Sequence, residues 1–487
     1  MQSWKEFVSN IEAGRVGMFA LLAVVVLVAG CETDYSELFV KDKLQKIEEQ
    51  LEKQASTKDG TSKVPADLAA RIQRLEQQVT SLQQNNRLLV QEALLINQLE
   101  DGGALWKQDS TSGFVSHVDL SSTRNNDLIE LLPEFPNLTH ISLNGINVDG
   151  KTFTALSKLE KLERIDLEKA PVTVRGLKKL KKLKSLKFLQ LFRSDVSDDG
   201  LEVIGSMEGL EQLRCGQTRV GDEGIQHLRN LKSLKAIDLS DCNRVSDEGL
   251  AVLSELPELV FVKVWGPQIT DEGMKSVAKM KSLRVLGLND TPVSDAGIKE
   301  LADLKELREV HLFRTPVGDD GIRTLANIPT MSFLNLRDTQ ISDEAIKMLA
   351  AAPAVVKLDL SETNSPGVTD AASEQFAKMK KIKDLNFWST QVGDDLVEKL
   401  AGLKTLTRLN LDKTNITNAS IKQLTKMPQL TWLHIGSNAH INDDAIEDLL
   451  KLPNLKYLNI TGCKISDEGF LQLDDALSPK GCIVIGP

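Results

Sequence analysis

Eleven side chains stand out because their chemistry is that of recognition rather than bond-making. They are Phe188, Phe192, Phe261, Trp265, Phe313, Phe333, Trp388, Trp432 and Tyr457, with His311 and His434 among them. Aromatic rings bring large, rigid contact area, and Trp and Tyr are favoured anchors at interfaces. Arg214, Lys263, Arg337 and Arg408 are interspersed in the same pattern. Such a set predicts a ligand-binding stripe from Phe188 to Tyr457. Two subsites are expected, one through Phe261, Trp265, Phe313 and Phe333, the other through Trp388, Trp432 and Tyr457. The same rings also suit strands for structural reasons and could stack along a sheet without a ligand.

Bond-making chemistry has no comparable signal. The six histidines (His117, His140, His227, His311, His434, His440) show no ligand spacing. No nucleophile elbow, phosphate loop or metal motif occurs. The chain is therefore expected not to be an enzyme, with no catalytic residue, cofactor or metal to name. The acidic strings Ser197–Gly200, Ser246–Gly249 and Gly318–Gly321 invite a calcium reading. They recur where helices should begin, so capping explains them better. The net charge of −10 argues against a general nucleic-acid binder. Lys178, Lys179, Lys181, Lys182, Lys184 and Lys187 alternate with leucines, as on a solvated helix face.

The elements that would position the aromatics follow from a repeat. Successive xLxL segments begin their apolar pair at Val118, Ile141, Ile165, Leu189, Leu213, Ile237, Val262, Leu286, Val310, Leu334, Leu358, Leu385, Leu409, Leu433, Leu458 and Ile483. Ten of these fifteen spacings are 24 residues. Such self-similarity marks a stacked-repeat architecture. In the unit Leu283–Leu304, Leu283, Leu286 and Leu288 make a strand edge, and Val293 fills the bend. Ser294 caps a helix, Asp295 suits its first turn, Gly297 allows close packing, and Ile298, Leu301 and Leu304 follow at helical spacing. Thr291 recurs as Thr218, Thr315, Thr339, Thr363, Thr390 and Thr414, a hydroxyl ladder suited to satisfying the tight turn's backbone.

The pattern LxxLxLxxTxVxDxGLxxLxxL resembles the leucine-rich-repeat family over roughly three quarters of the chain. The Val-(Ser/Thr)-Asp-x-Gly-Leu helix start is most similar to the cysteine-containing class found in F-box substrate receptors. Thr usually replaces the signature Cys, which survives at Cys242 and Cys463. The resemblance implies an α/β solenoid, a horseshoe with a parallel concave sheet and convex helices. Cys215 is then a buried strand residue. Cys482 falls on a strand position facing away from the core, which disfavours a Cys463–Cys482 bridge. The residues before, between and after each apolar pair face the concave side, because strand side chains alternate. Nine of the fifteen aromatics from Phe114 onward occupy those positions.

Residues 1–30 read as a targeting segment, with Lys5 and Arg15 before an uncharged run from Val16 to Gly30. Leu27-Val28-Ala29-Gly30-Cys31 looks like a bacterial lipobox, in which Cys31 is lipidated. An uncleaved anchor helix is the alternative. Residues 31–100 form a helical coiled-coil stalk with a break near 55–65. Ile72, Val79, Asn86 and Ala93 make one seam position, and Leu68, Leu75, Leu82, Leu89 and Ile96 the other. A shorter seam runs through Val40, Leu44, Ile47 and Leu51. Residues 101–113 read as a linker, and residues 114–487 as a solenoid of about sixteen strands. The expected protein is a bacterial envelope lipoprotein, anchored through Cys31, facing periplasm or exterior, and possibly a coiled-coil homodimer. Its ligand would be a protein. A polysaccharide ligand, a purely structural spacer, and an intracellular F-box-like adaptor are the alternatives.

Overall fold

The computed structural model describes residues 66–123, 126–363 and 367–486. The segment 1–30, Cys31, the seam from Val40 to Leu51, the break at 55–65 and residues 364–366 lie outside the described residues. So do the side chains of Leu68, Ile72, Leu75, Val79, Leu82 and Asn86. The chain divides into two units at Gln98/Leu99. A 36-residue helix runs over Ala66–Asp101. Toward its end, Leu88, Leu89, Leu95 and Ile96 are half-buried, while Val90 and Leu94 are exposed. No described helix is long and apolar enough to cross a membrane.

The second unit is one open sheet of 17 strands among the described residues, each later strand followed by a short helix. The first two strands, Leu105–Gln108 and Val115–Asp119, pair antiparallel. From Val115–Asp119 onward every strand pairs in parallel with the next one in sequence, ending at Ile483–Ile485. Equivalent residues meet across each pair, as Leu286, Val310, Leu334 and Leu358 do. The core is the stacked apolar set of the repeat. Leu286, Leu288, Val293, Ile298, Leu301 and Leu304 are all fully buried. Full burial of such a side chain contributes about 1.5–3 kcal/mol. Most helices run seven residues or fewer, as in Asp271–Val277. That is too short to persist alone, so stacking holds them.

Two readings of the ends are corrected. The supposed linker 101–113 holds strand Leu105–Gln108. It is joined to the next strand by a turn in which the Asp109 carboxylate accepts the Thr111 and Ser112 N–H groups and Gly113 takes φ +74°. At the other end Val484, not Ile483, faces Leu458. Ile483 is 59% exposed, and Cys482, two residues before Val484, is buried rather than facing outward. The run Cys482–Ile485 is apolar throughout, so alternation does not choose its register.

Three ladders run from repeat to repeat. In the first, Thr291, Thr315, Thr339, Thr363, Thr390 and Thr414 each donate a hydroxyl to the carbonyl three residues earlier, at 2.6–2.8 Å. The Cys242 and Cys463 thiols reach the preceding repeat's Cys215 and Ile435 carbonyls instead. In the second, the first-turn aspartate of one helix caps the next helix. Asp247 accepts the Thr270 N–H and hydroxyl at 2.8 and 2.6 Å. Asp271 accepts those of Ser294 at 2.8 and 2.7 Å and the Gly297 N–H at 3.0 Å. Asp319, Asp343 and Asp394 repeat the arrangement. A Cβ at Gly297 would meet the Asp271 carboxylate, which is why this position is glycine.

The third ladder had no counterpart in the sequence reading. Eleven non-glycine residues, including Arg193, Asp290, Arg314, Asp338 and Glu362, take φ of 52–58° at one corner of the repeat. All of their N–H groups but that of Asp241 continue the sheet's hydrogen bonding, as Asp290 does to the Phe313 carbonyl at 2.8 Å. A left-handed L-residue costs roughly 1–2 kcal/mol. Neighbouring repeats hold each in place.

Candidate binding surface

Counted from the buried residue at each strand's centre of register (Val118, Leu189, Val262, Val310 and their equivalents), the residues one before, one after and three after lie on the face opposite the core. Phe188, Phe261, Phe333, Trp432 and Tyr457 occupy the first row. His311 and His434 occupy the second, and Phe192, Trp265, Phe313 and Trp388 the third. The eleven residues therefore share one face, with strands Gln212–Arg214 and Ala236–Leu239 adding no aromatic between Phe192 and Phe261, and all but Phe188 are half-buried. Phe188 is buried outright at 7% exposure. The Arg164 guanidinium covers its ring at 3.8 Å and Arg214 stands at 5.4 Å.

Cations also lie over Phe192, Phe261, Phe313, Phe333, Trp388 and Trp432. Lys263 lies 5.4 Å from the Phe261 ring, Lys357 lies 4.6 Å from Phe333, and Arg193 lies 5.4 Å from Phe192. Arg337 sits between Phe313 at 4.7 Å and Trp388 at 4.9 Å, with its charge met by Glu362 at 2.7 Å. Phe313 is thus joined to Trp388, across the division between the two expected subsites. Trp265 keeps its indole N–H buried without a hydrogen-bond acceptor among the described residues. Its ring lies over Gly287, where a Cβ would stand 3.2 Å from the indole nitrogen.

The densest cluster is at the C-terminal end. Trp432 stacks on His434 with centroids 3.9 Å apart, and His434 lies 5.2 Å from Tyr457. The Asp412 carboxylate holds the His434 Nδ1 at 3.0 Å, and Arg408 covers the Trp432 ring at 4.3 Å. Arg408 and Lys357 both face Asp384, at 3.4 and 3.6 Å. The His434 Nε2 is buried with no partner among the described residues. In the second row, the Oδ1 atoms of Asn386, Asn410 and Asn459 accept the backbone N–H of the residue two positions on. Such turns stiffen the strand ends.

His311 meets Phe333 edge-on at 5.2 Å. Burial, helped by Lys263 and Lys357, pushes its pKa down from 6.5 to about 4. Its neutral form is the native one, so its contribution to stability is complete above pH 6.5. That contribution falls away as pH drops from 6.5 toward 4. A histidine NMR titration is expected to place the His311 midpoint near pH 4. A midpoint near 6.5 would contradict its packing against Phe333.

Sequence spacing missed His117 and His140, which occupy the first row at the N-terminal end and stack at 4.0 Å. The signal was present in their 23-residue separation at one strand position. Lys178, Lys181, Lys182 and Lys184 are exposed, as expected of a solvated face. Cys215, Cys242, Cys463 and Cys482 are free thiols. Burial pushes the Cys463 thiol up to about 11. Among the described residues, no group of three or more His, Cys, Asp or Glu side chains could hold a metal ion. The acidic strings are engaged in capping.

Comparison with known proteins matches residues 120–392 to the family described as "Leucine-rich repeat region" and residues 404–465 to "Leucine rich repeat". No curated protein matches the chain. Among solved structures, an internalin from Listeria monocytogenes is 18% identical, with 77% of this chain and 91% of that one covered and a TM-score of 0.45. A leucine-rich-repeat protein of Leptospira interrogans is also 18% identical, with 74% and 92% covered and a TM-score of 0.47. A plant peptide hormone receptor in complex with its peptide is 16% identical, with 74% and 56% covered and a TM-score of 0.39.

Proposed function

The chain belongs to the leucine-rich-repeat family, and from that premise we propose that it is a binding protein whose concave face takes up another protein. The observation that carries this reading is the Trp388–Tyr457 cluster, where stacked rings, Arg337, Arg408 and the Asp412–His434 pair are held by one another before any ligand arrives. Preorganised aromatic and arginine groups are the usual energetic centre of a protein interface. A polysaccharide would need open ring faces to stack on. Phe188, Phe313, Trp388 and Trp432 instead have cations over a face, which favours the protein reading. Capture from envelope extract on the immobilised full chain, alongside a glycan array, tests it. Saturable protein capture is expected, with any glycan signal unchanged by Trp432→Ala; no protein capture, with a glycan signal that Trp432→Ala abolishes, would refute the reading.

We further propose the setting that residues 1–100 imply, with Cys31 lipidated at a bacterial membrane and the heptads from Leu68 to Ile96 pairing two chains. The seam residues Leu89 and Ile96 are half-buried and Ala93 is exposed, which leaves the seam open to a second chain. Mass spectrometry of the mature N-terminus is expected to find an acylated Cys31, and an unmodified Cys31 with residues 1–30 retained would refute lipidation. Deleting residues 72–96 is expected to halve the mass seen by light scattering. An unchanged mass would refute the paired stalk.

A further inference from the structure

Strands Leu105–Gln108, Val115–Asp119, His140–Ser142 and Arg164–Asp166 line a cavity of about 300 Å³, at the small end of ligand sites. None of the eleven stripe residues lines it. The stacked His117 and His140 rings do, and their protons can be placed. The Ser116 hydroxyl donates to the Lys107 carbonyl at 3.3 Å, and the Thr139 hydroxyl donates to the Ser116 carbonyl at 3.0 Å. Each hydroxyl has a single proton. With each hydroxyl proton directed at a carbonyl, the 2.7 Å contacts of His117 with Ser116 and of His140 with Thr139 take the ring Nδ1–H as donor, the tautomer on which the proposal rests. Both Nε2 atoms are then bare acceptors, without a partner among the described residues. Burial, with Lys107 and Arg164 nearby, holds His117 below its ordinary pKa. Burial, with His117 and Arg164, does the same for His140. Both rings are thus neutral at pH 7.

The rest of the lining is also rich in acceptors. Asp119 receives the Ser121 hydroxyl at 2.5 Å, so the Ser142 hydroxyl donates to Ser121 at 2.7 Å and keeps its lone pairs free. Arg164 commits Nε and Nη2 to Asp166, at 2.9 and 3.0 Å. Lys107 is the ammonium in the lining, and Leu105 and Trp106 give it an apolar wall. We propose that this cavity is a second ligand site, binding a small neutral polyhydroxylated molecule of the size of one sugar ring, whose hydroxyl protons His117 Nε2 and His140 Nε2 accept. An alkylammonium would face Lys107 and Arg164. A carboxylate or phosphate would meet Lys107 but also Asp119, Asp166 and two Nε2 lone pairs. A polyol supplies the missing donors without adding charge.

The test is a histidine-detected NMR titration of the full chain with D-glucose, D-galactose, N-acetyl-D-glucosamine and myo-inositol, with methylammonium chloride and sodium acetate as the charged probes. At least one polyol is expected to shift both the His117 and His140 signals saturably, and neither ion to do so. His117→Phe keeps a ring in the stack but removes Nε2. It is expected to weaken that polyol roughly tenfold, about 1.4 kcal/mol. No saturable shift from any polyol, a saturable shift from either ion, or full affinity in His117→Phe would each overturn the proposal. Should His117→Phe fail to fold, the titration of the unaltered chain decides alone. The stripe is untouched by these variants, so failure here leaves the protein-binding reading standing.

Discussion

Trp432→Ala is expected to weaken partner capture by about 2 kcal/mol or more, roughly thirtyfold, while the solenoid stays folded. The ring is half-buried, stacked on His434 and under Arg408, so its loss removes an anchor and releases two neighbours that it positions. The core behind it is separate: Leu433 and Ile435 are fully buried and keep their contacts. Circular dichroism of the variant should therefore match the parent. Full capture by the folded variant would remove this cluster from the site.

Asp394→Ala is expected to destabilise the chain by about 2–4 kcal/mol, the sum of a lost helix cap and buried donors left without an acceptor. One carboxylate receives the Thr417 N–H at 2.9 Å, the Thr417 hydroxyl at 2.8 Å, the Ser420 N–H at 3.2 Å and the Ser420 hydroxyl. Burial alone would push this carboxyl's pKa up, but the bonds from Ser420 and Thr417 outweigh it and leave the pKa below its ordinary value. The resulting stability is complete above the unfolded carboxylate pKa of about 3.9 and is lost as pH falls through the lower folded value. Asp395→Ala, at the exposed neighbour, is expected to change stability by no more than about 0.5 kcal/mol. Denaturant melts of the two variants check this. Equal effects would mean that the aspartate at this place acts only on its own helix.

These two predictions differ in how far the sequence foretold them. The 24-residue period named Trp432 directly, because alternation along a strand decides which side chains leave the core. Asp394 and its equivalents could be read as helix-start residues. Their partner, though, is the next repeat's N-cap, about 23 residues on, and single-unit reasoning does not reach it. The state of the rings was also hidden. Spacing placed Phe313 with Phe333 and Trp388 with Trp432, but Arg337 lies between Phe313 and Trp388 and ties them together. Lateral contacts of this kind depend on side-chain reach across strands, which spacing does not encode. His117 and His140 escaped for the same reason: each looks isolated in the chain and meets the other only through parallel pairing.

The left-handed corner residues connect the fold to its proposed use. They turn the backbone just past the third row, and their side chains extend the polar edge of the stripe. Arg314, for example, meets Asp290 at 2.6 Å and Asp338 at 3.7 Å. A surface whose charges are already paired loses little freedom on binding, which lowers the entropic cost of association.

The most direct test of the concave-face assignment is site-specific photocrosslinking in the partner-loaded full chain. A photoreactive residue replacing Asn410, in the second row between Asn386 and His434, is compared with one replacing Lys178 on the helical face. The account predicts a partner adduct from position 410 and none from position 178. An adduct from 178 with none from 410 would place the partner on the helices and contradict it.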